Sequence, residues 1–242
     1  MEFSHLVNSA NVAVKNNKIH EAIKLLEDAF KINSNSFDVC FKLGLLTFKL
    51  DDLNNSIKYF KKTLLLNPNS SLGYSNLGLI YSRQNKNELA LKNYLRAIDL
   101  EPNNFTINYN LANLFFSINN EKNAEFYFKK SIEIQPQNFY PYNNLFQLYD
   151  RTNNLVKLEE VLIKIIKLFG KSPQVQFLEG IFNFRKKKYK ETIEIFQNLN
   201  FDGKDLQKNI LINNTLAKCH DQLNNYKDAY QYYLKSNKIL ED

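Results

Sequence analysis

The sequence predicts an all-α fold of stacked repeats, a solenoid of about seven units. The first observation is a fixed period: Pro68, Pro102 and Pro136 follow one another at intervals of 34 residues, and such a period is typical of repeat proteins. The second is that small and large residues recur at fixed positions of the repeat. The third is that no strand-like alternation is needed anywhere to account for the sequence. Aligned on the prolines, the repeats begin at residues 3, 37, 71, 105, 139, 173 and 210.

Small residues recur at positions 8 and 20 of these repeats, and large apolar residues at position 24. Where two helices cross closely, a small side chain lets the backbones approach and larger neighbours interdigitate around the crossing. Position 8 reads Ala10, Gly44, Gly78, Ala112, Phe146, Gly180 and Ala217. Position 20 reads Ala22, Ser56, Ala90, Ala124, Leu158, Thr192 and Ala229. Position 24 supplies the large partner, as Leu26, Phe60, Tyr94, Phe128, Leu162, Phe196 and Tyr233.

The third repeat carries the fullest pattern, and it resembles the tetratricopeptide repeat family. The residues that carry the resemblance are Tyr74, Leu77, Gly78, Tyr81, Ala90, Tyr94, Ala97 and Pro102. The resemblance implies a right-handed α-solenoid of helix-turn-helix hairpins, forming a single domain over residues 3–242. In such an array each repeat contacts only its neighbours.

Position 15 is expected to form the turn inside each hairpin, where the family often has glycine. Asparagine tolerates the left-handed backbone conformation best after glycine. This position reads Asn17, Asp51, Asn85, Asn119, Asn153, Lys187 and Asn224.

Repeat 5 breaks the packing pattern, because Phe146, Leu158 and Ile165 occupy all three of its small positions, 8, 20 and 27. Large residues in a close crossing cost about 1 to 3 kcal/mol per site unless the helices spread or their neighbours are smaller. We therefore expect the hairpin angle to change here, which would separate a regular N-terminal half from an irregular C-terminal half.

Repeat 6 places Glu179 and Asn183 where apolar residues normally pack. Since a buried carboxylate without a partner is unfavourable, the first helix of this repeat is expected to rotate. The rotation would bury Phe177, Ile181 and Phe184. The alternative is a basic neighbour for Glu179. The insertion "NFDGKD" before repeat 7 is expected to form a longer surface loop.

The last repeat resembles the final repeat of bacterial proteins in which a tetratricopeptide arm is fused to a sulfotransferase domain, chiefly through its Ser236-Asn237 step. Stacked repeats usually end in a polar capping helix, whereas here Ile239 and Leu240 precede only two acidic residues. An uncapped end of this kind predicts docking of another protein through the C-terminal repeat.

Composition favours a protein without a membrane span, located in the cytoplasm. No segment reaches the roughly 20 apolar residues that cross a bilayer, and the N-terminus lacks the pattern of a secretory signal. Cys40 and Cys219 lie in distant repeats, so they are expected to be unpaired, as in a reducing compartment. The net charge of +7 is attributed to lysine on solvated faces, and a nucleic-acid partner is not expected.

The chain offers no residue pattern for catalysis, a cofactor or a metal. His5, His20 and His220 belong to different hairpins, and none forms a helical pair of metal-ligand spacing. Cys219 and His220 are adjacent on a helix and diverge too far to act as nucleophile and base, so His220 is expected to be a packing residue. The sequence contains no glycine-rich phosphate loop. We therefore expect no enzymatic activity.

The resemblance implies that positions 2, 5, 6, 9, 12 and 13 point into a concave groove. Position 6 carries Asn8, Asn76, Asn110 and Asn144, which is similar to the asparagine ladder of O-linked N-acetylglucosamine transferases. Amides donate and accept hydrogen bonds, so a row of them holds the main chain of a peptide. Asn11, Tyr109 and Asn113 would extend this surface. The alternative is that the asparagines are background, because the residue is common in the family and in this chain.

A row of cations at position 13 consists of Lys15, Lys49, Arg83, Arg151 and Arg185. It would favour acidic peptides or a carboxylate terminus, although lysine is also frequent there in the family. The carboxylate clamp of chaperone-binding members is disfavoured, since Val7 and Tyr109 replace its lysine.

Two functions follow from these observations. The first is a non-catalytic scaffold that holds an extended peptide or a partner helix in its concave groove. The alternative is an arm that presents substrates to a glycosyltransferase or a sulfotransferase. Inspection of the neighbouring reading frame for a sulfate-donor or sugar-nucleotide domain would distinguish them.

Overall fold

The computed structural model describes residues 2–199 and 205–241, with side chains up to Ile239. Over these residues the chain is helical and contains no strand, which confirms the predicted all-α fold of hairpins. The chain divides into two compact units, Met1–Pro136 and Gln137–Asp242, called unit 1 and unit 2 below and described in turn. The single domain over residues 3–242 stays a prediction.

Unit 1 consists of four helical hairpins, and each hairpin corresponds to one predicted repeat. Its helices are α1 (Phe3–Lys15), α2 (Ile19–Ile32), α3 (Phe37–Lys49), α4 (Leu53–Leu66), α5 (Ser71–Arg83), α6 (Asn87–Leu100), α7 (Phe105–Ser117) and α8 (Glu121–Ile134). Within each hairpin the two helices pack against each other, and α2, α4 and α6 also pack against the first helix of the next hairpin.

Three of the four first helices of unit 1 begin at a capping residue, spaced 34 residues apart. The side chains of Ser36, Ser70 and Asn104 accept hydrogen bonds from the backbone N–H groups at the starts of α3, α5 and α7. A side-chain acceptor at this place satisfies a backbone donor that has no partner inside the helix. The caps therefore fix where these three hairpins begin.

The turn inside each hairpin has the predicted left-handed conformation. All seven residues at position 15 have positive φ, between 52° for Asn153 and 62° for Asn224. Lys187 is the one among them with neither an Asn nor an Asp side chain, and its φ is 58°. The prediction from the repeat register is thus confirmed even at the position whose residue is least suited to this conformation.

Small residues lie at the helix crossings, as predicted. A Cβ atom added to Gly44 or Gly78 would lie 2.9 Å or 2.8 Å from the ring of Phe60 or Tyr94, respectively. Ser56, at position 20 of the second repeat, is fully buried and its hydroxyl donates to the Gly44 carbonyl over 2.7 Å. Because both rings are also buried, the crossings form the centre of each hairpin's core.

Unit 2 contains three further hairpins of less regular length. Its helices are α9 (Phe139–Arg151), α10 (Leu155–Phe169), α11 (Pro173–Arg185), α12 (Tyr189–Gln197), α13 (Leu206–Gln222) and α14 (Tyr226–Glu241). Helix α12 has only 9 residues, whereas the second helices of unit 1 have 14. The surface loop predicted for the insertion before repeat 7 lies largely outside the described residues.

The hairpin of α9 and α10 buries the three large residues that replace small ones. Phe146, Leu158 and Ile165 are each no more than 2% exposed. The opposing residue at position 24 is Leu162, which is smaller than the Phe or Tyr found there in repeats 2 to 4. A smaller partner compensates for the larger residue at position 8, since the total core volume is what must be conserved. The predicted change of hairpin angle stays a prediction.

The predicted rotation of the first helix in repeat 6 is wrong. Helix α11 keeps Gly180 at its crossing with α12, where an added Cβ atom would lie 2.2 Å from the Phe196 ring. Phe177, Ile181 and Phe184 are only partly buried. Glu179 is also only partly buried, so its carboxylate keeps contact with water and no desolvation cost drives a rotation.

None of the helices in the described part of the chain is long and apolar enough to cross a membrane. Cys40 and Cys219 are both buried as free thiols.

Candidate functional site

The groove positions predicted for the first helices of unit 1 lie on one side of each helix. On a helix of about 3.6 residues per turn, positions 2, 5, 6, 9, 12 and 13 fall within an arc of about 120°. Helices α5 and α7 contact each other directly, so their arcs are neighbours. We call this surface the first-helix face and define it by six residues: Asn8, Val14, Leu45, Leu72, Asn76 and Asn110.

The asparagines of position 6 have accessible side chains in unit 1. Asn8 is exposed, and Asn76 and Asn110 are partly exposed. The Asn76 amide donates one hydrogen bond to the Leu72 carbonyl of its own helix, over 2.7 Å. This bond uses one of the two N–H groups and fixes the side chain, while the amide oxygen and the second N–H group are not needed for it. The row is therefore chemically able to hold a main chain.

The other residues predicted to extend the asparagine row in unit 1 are less uniform. Asn11 and Asn113 are partly exposed. The ring of Tyr109 stacks on Phe105 with centroids 5.7 Å apart and packs against Phe128 at 6.1 Å. Tyr109 thus contributes to the core of its hairpin, and only its remaining exposed edge is available to a ligand.

The cations of position 13 in unit 1 reach back to the preceding hairpin. The Arg83 guanidinium lies over the Phe48 ring, 4.3 Å from its centroid, and 3.6 Å from a carboxylate oxygen of Asp51. The Lys49 Nζ atom donates to the Asn17 side-chain oxygen over 3.4 Å. Asn17 and Asp51 are the left-handed turn residues. These cations therefore connect successive hairpins in addition to bordering the first-helix face.

In unit 2, Arg185 forms a two-pronged ion pair with Asp150. Its Nε and Nη2 atoms donate to the two carboxylate oxygens over 2.6 Å and 2.9 Å. These hydrogen bonds raise the pKa of Arg185 above its ordinary value. The pair joins α9 to α11 and neutralises this cation. Arg151 is exposed and Asn144 partly exposed, both on α9.

Apolar residues on the first-helix face were not anticipated from the sequence. Val14, Leu45 and Leu72 are 40%, 38% and 47% exposed. They occupy positions 12, 9 and 2, which the resemblance assigns to the groove. The sequence already places them at groove positions, whereas the predicted site contained only amides, cations and Tyr109. The exposed leucines change the chemistry that this face offers a ligand.

The described residues show no cluster of side chains that could hold a metal ion. No group of three or more His, Cys, Asp or Glu side chains comes together within residues 2–199 and 205–241. His220 is 8% exposed and stacks on Tyr232, with ring centroids 5.4 Å apart, which confirms it as a packing residue. Burial raises the pKa of the neighbouring Cys219 thiol to about 11, so this thiol is a poor nucleophile.

The last helix, α14, keeps four large side chains exposed: Tyr226, Tyr230, Tyr233 and Leu234. Tyr233 occupies position 24 and is 40% exposed, whereas the residues at this position in the six preceding repeats are at most 4% exposed. Docking of another protein through this repeat stays a prediction.

Comparisons with protein families match three segments of the chain. Residues 37–70 and 105–138 match a model described as "Tetratricopeptide repeat", and residues 80–119 match a second model described as "TPR repeat". The boundaries of the first two segments agree with the repeats that begin at residues 37 and 105. No curated protein matches the chain in sequence.

Solved structures similar to this chain are repeat proteins of the same fold. The C-terminal part of a TPR repeat-containing protein from Cytophaga hutchinsonii has a TM-score of 0.75 and 18% identity, covering 98% of this chain and 95% of its own. PilF from Pseudomonas aeruginosa has a TM-score of 0.68 and 15% identity, covering 81% and 90%. MamA from Desulfovibrio magneticus has a TM-score of 0.65 and 17% identity, covering 69% and 94%. At these identities the likeness shows the fold alone.

Proposed function

Because the chain belongs to the tetratricopeptide repeat family, we propose that it is a non-catalytic scaffold that binds a segment of another protein on its first-helix face. The observation that carries the proposal is the accessibility of the Asn8, Asn76 and Asn110 amides on three of the four first helices of unit 1, α1, α5 and α7. Each amide offers a donor and an acceptor, so the row fits the regular donors and acceptors of an extended main chain.

A cytoplasmic setting is part of this proposal. It is supported by the two buried thiols, Cys40 and Cys219, because unpaired cysteines are typical of reducing compartments. The alternative role, an arm that presents substrates to a glycosyltransferase or sulfotransferase, would use the same face. A transferase gene beside this one would favour the arm.

A pull-down with matched variants tests the role of the amides. The test variant carries Asn76→Ala and Asn110→Ala, and a separate variant carries Asn144→Ala for unit 2. The control carries Asn54→Ala and Asn93→Ala on the second helices α4 and α6. Asn93 is a close match for Asn76, since it also donates to a carbonyl of its own helix over 2.7 Å. Partners captured from an extract of the source organism are quantified by mass spectrometry.

The proposal predicts that a specific partner is captured by the intact chain and by the control. The variant with Asn76→Ala and Asn110→Ala should capture it about tenfold less, since two hydrogen bonds are lost. Circular dichroism should show unchanged helix content in both variants. Equal capture by all of the variants would contradict a binding role for the asparagine row.

A further inference from the structure

Charged side chains are segregated between the two kinds of helix in unit 1. Helix α7 contains no Lys, Arg, Asp or Glu, and α5 contains only Arg83. The second helices are heavily charged by comparison: α8 carries six such residues and α2 carries five. The first helices that form the proposed binding face thus carry few charged side chains in all, namely Lys15, Asp38, Lys42, Lys49 and Arg83.

The few cations bordering the first-helix face mostly have partners within the chain. Lys42 forms an ion pair with Asp38 at 2.7 Å. Arg83 lies over Phe48 and near Asp51, and Lys49 donates to Asn17. A ligand carboxylate would have to compete with these contacts. An acidic peptide therefore gains little from this face, contrary to the interpretation of position 13 as a basic stripe.

Apolar side chains on the first-helix face can make the favourable contacts with a ligand that its paired charges do not make. Val14, Leu45 and Leu72 are 38% to 47% exposed and lie on three different first helices, in the same arc as the asparagines. Partial exposure means that each leaves apolar area which a ligand side chain can cover, and covering apolar area is the main favourable term in association.

We propose that the segment bound on the first-helix face is extended, uncharged and rich in aliphatic or aromatic side chains. This inference depends on the proposed function and specifies its ligand. The amides would hold the main chain while the apolar side chains contact Val14, Leu45 and Leu72. Packed helices lie about 10 Å apart, so four first helices span about 30 Å, which about nine extended residues would cover.

Selection from a random peptide library tests the composition of the ligand. The probe is a phage-displayed library of peptides of about twelve residues, selected on the intact chain. The inference predicts enrichment of Leu, Ile, Val, Phe or Tyr and depletion of Asp and Glu. The affinity of the selected peptides should change less than about twofold between about 50 and about 500 mM NaCl, because few charges are screened.

A pair of leucine variants then locates the contact. Leu72→Glu should weaken the selected peptides by about tenfold or more, because it removes apolar contact and adds a charge. Leu45→Glu provides a second site on α3 with the same expectation. The control is Leu65→Glu on α4, where the side chain is 77% exposed and lies away from the first-helix face, so the affinity should not change.

The outcomes separate this inference from the proposed function. Peptides that need Asn76 and Asn110 for binding but are rich in Asp or Glu would overturn the inference and leave the proposed function intact. Selected peptides whose binding survives both the asparagine changes and Leu72→Glu would overturn both. Failure to select any peptide would also count against both. Apolar peptides that lose affinity with Leu72→Glu but not with Leu65→Glu would support both.

Discussion

At the scale of single residues, the left-handed turn at position 15 shows how far residue type predicts conformation. All seven residues at this position have positive φ, and six of them are Asn or Asp, which adopt this conformation more readily than other residues. Lys187 could be assigned only because the repeat register placed it there. Residue type alone would not have identified this turn, since lysine has no side-chain group that stabilises it.

Replacing Lys187 with glycine should therefore stabilise the protein. Relief of the left-handed strain of about 1–2 kcal/mol exceeds the cost of glycine in the unfolded chain, so we expect the free energy of unfolding to rise by about 0.5–1 kcal/mol. Urea denaturation followed by circular dichroism measures it. The control is Lys186→Gly, one residue earlier, where φ is −80° and glycine should destabilise. A loss of stability with Lys187→Gly would contradict the account of the turn.

The two cysteines offer a second test at this scale. Both are buried, and burial raises the pKa of Cys219 to about 11 and that of Cys40 above its ordinary value. At about pH 8 only about one Cys219 thiol in a thousand is then ionised. We expect neither thiol to react with a disulfide reagent within minutes in the native protein, and both to react after unfolding in guanidinium.

An exposed cysteine introduced as Asn87→Cys serves as the control for the thiol experiment, since Asn87 is exposed at the start of α6. It should react at the rate of a free thiol. Native Cys40 or Cys219 reacting equally fast would show that its hairpin opens readily, which would contradict the packing described.

At the scale of elements, the close helix crossing explains both a confirmed prediction and a wrong one. Small residues at position 8 were predicted from their recurrence. An added Cβ atom at the glycines of this position would lie within 3 Å of Phe60, Tyr94 or Phe196, which confirms that the crossings leave no room for a larger side chain. The rotation predicted for α11 was wrong because the Gly180 crossing fixes the orientation of that helix. The sequence showed Glu179 at a position that is usually apolar, but not how much water it would retain.

A double mutant tests the crossing between α11 and α12. Gly180→Ala should destabilise by about 1–2 kcal/mol, since overpacking exceeds the better helix propensity of alanine. Adding Phe196→Leu should relieve the overpacking, because the smaller side chain makes room for the alanine. Repeat 1 already combines an alanine, Ala10, with a leucine, Leu26, at the same two positions. We expect a coupling energy of about 1 kcal/mol or more from urea denaturation.

Gly170→Ala is the matched control for this cycle. Its added Cβ atom would meet nothing within 4 Å, but φ at Gly170 is 66°, so alanine would be strained by the backbone alone. Phe196→Leu should not relieve that strain. Additive effects of Gly180→Ala and Phe196→Leu would contradict the role assigned to the crossing.

At the scale of the whole molecule, the 34-residue period predicted the hairpins. The structure was needed to identify which side chains of the first-helix face are exposed and which are paired. The last proline of the regular period, Pro136, is also the last residue of unit 1. The amide row could be predicted because it recurs at a fixed position. The ion pairs of Arg83 and Arg185 could not, because each joins long side chains of two different hairpins. Those pairs weigh against the acidic ligand that the row of cations at position 13 would favour.

The most direct test of the central claim is carbene footprinting of the chain with and without a saturating selected peptide. Binding on the first-helix face predicts reduced labelling of Val14, Leu45 and Leu72. Labelling should not change at exposed apolar residues of the second helices, Ile32, Leu65 and Phe126, which are 57%, 77% and 60% exposed. Protection of these second-helix residues, or of Tyr226 and Tyr230 on α14, with no change at Val14, Leu45 and Leu72 would contradict the account.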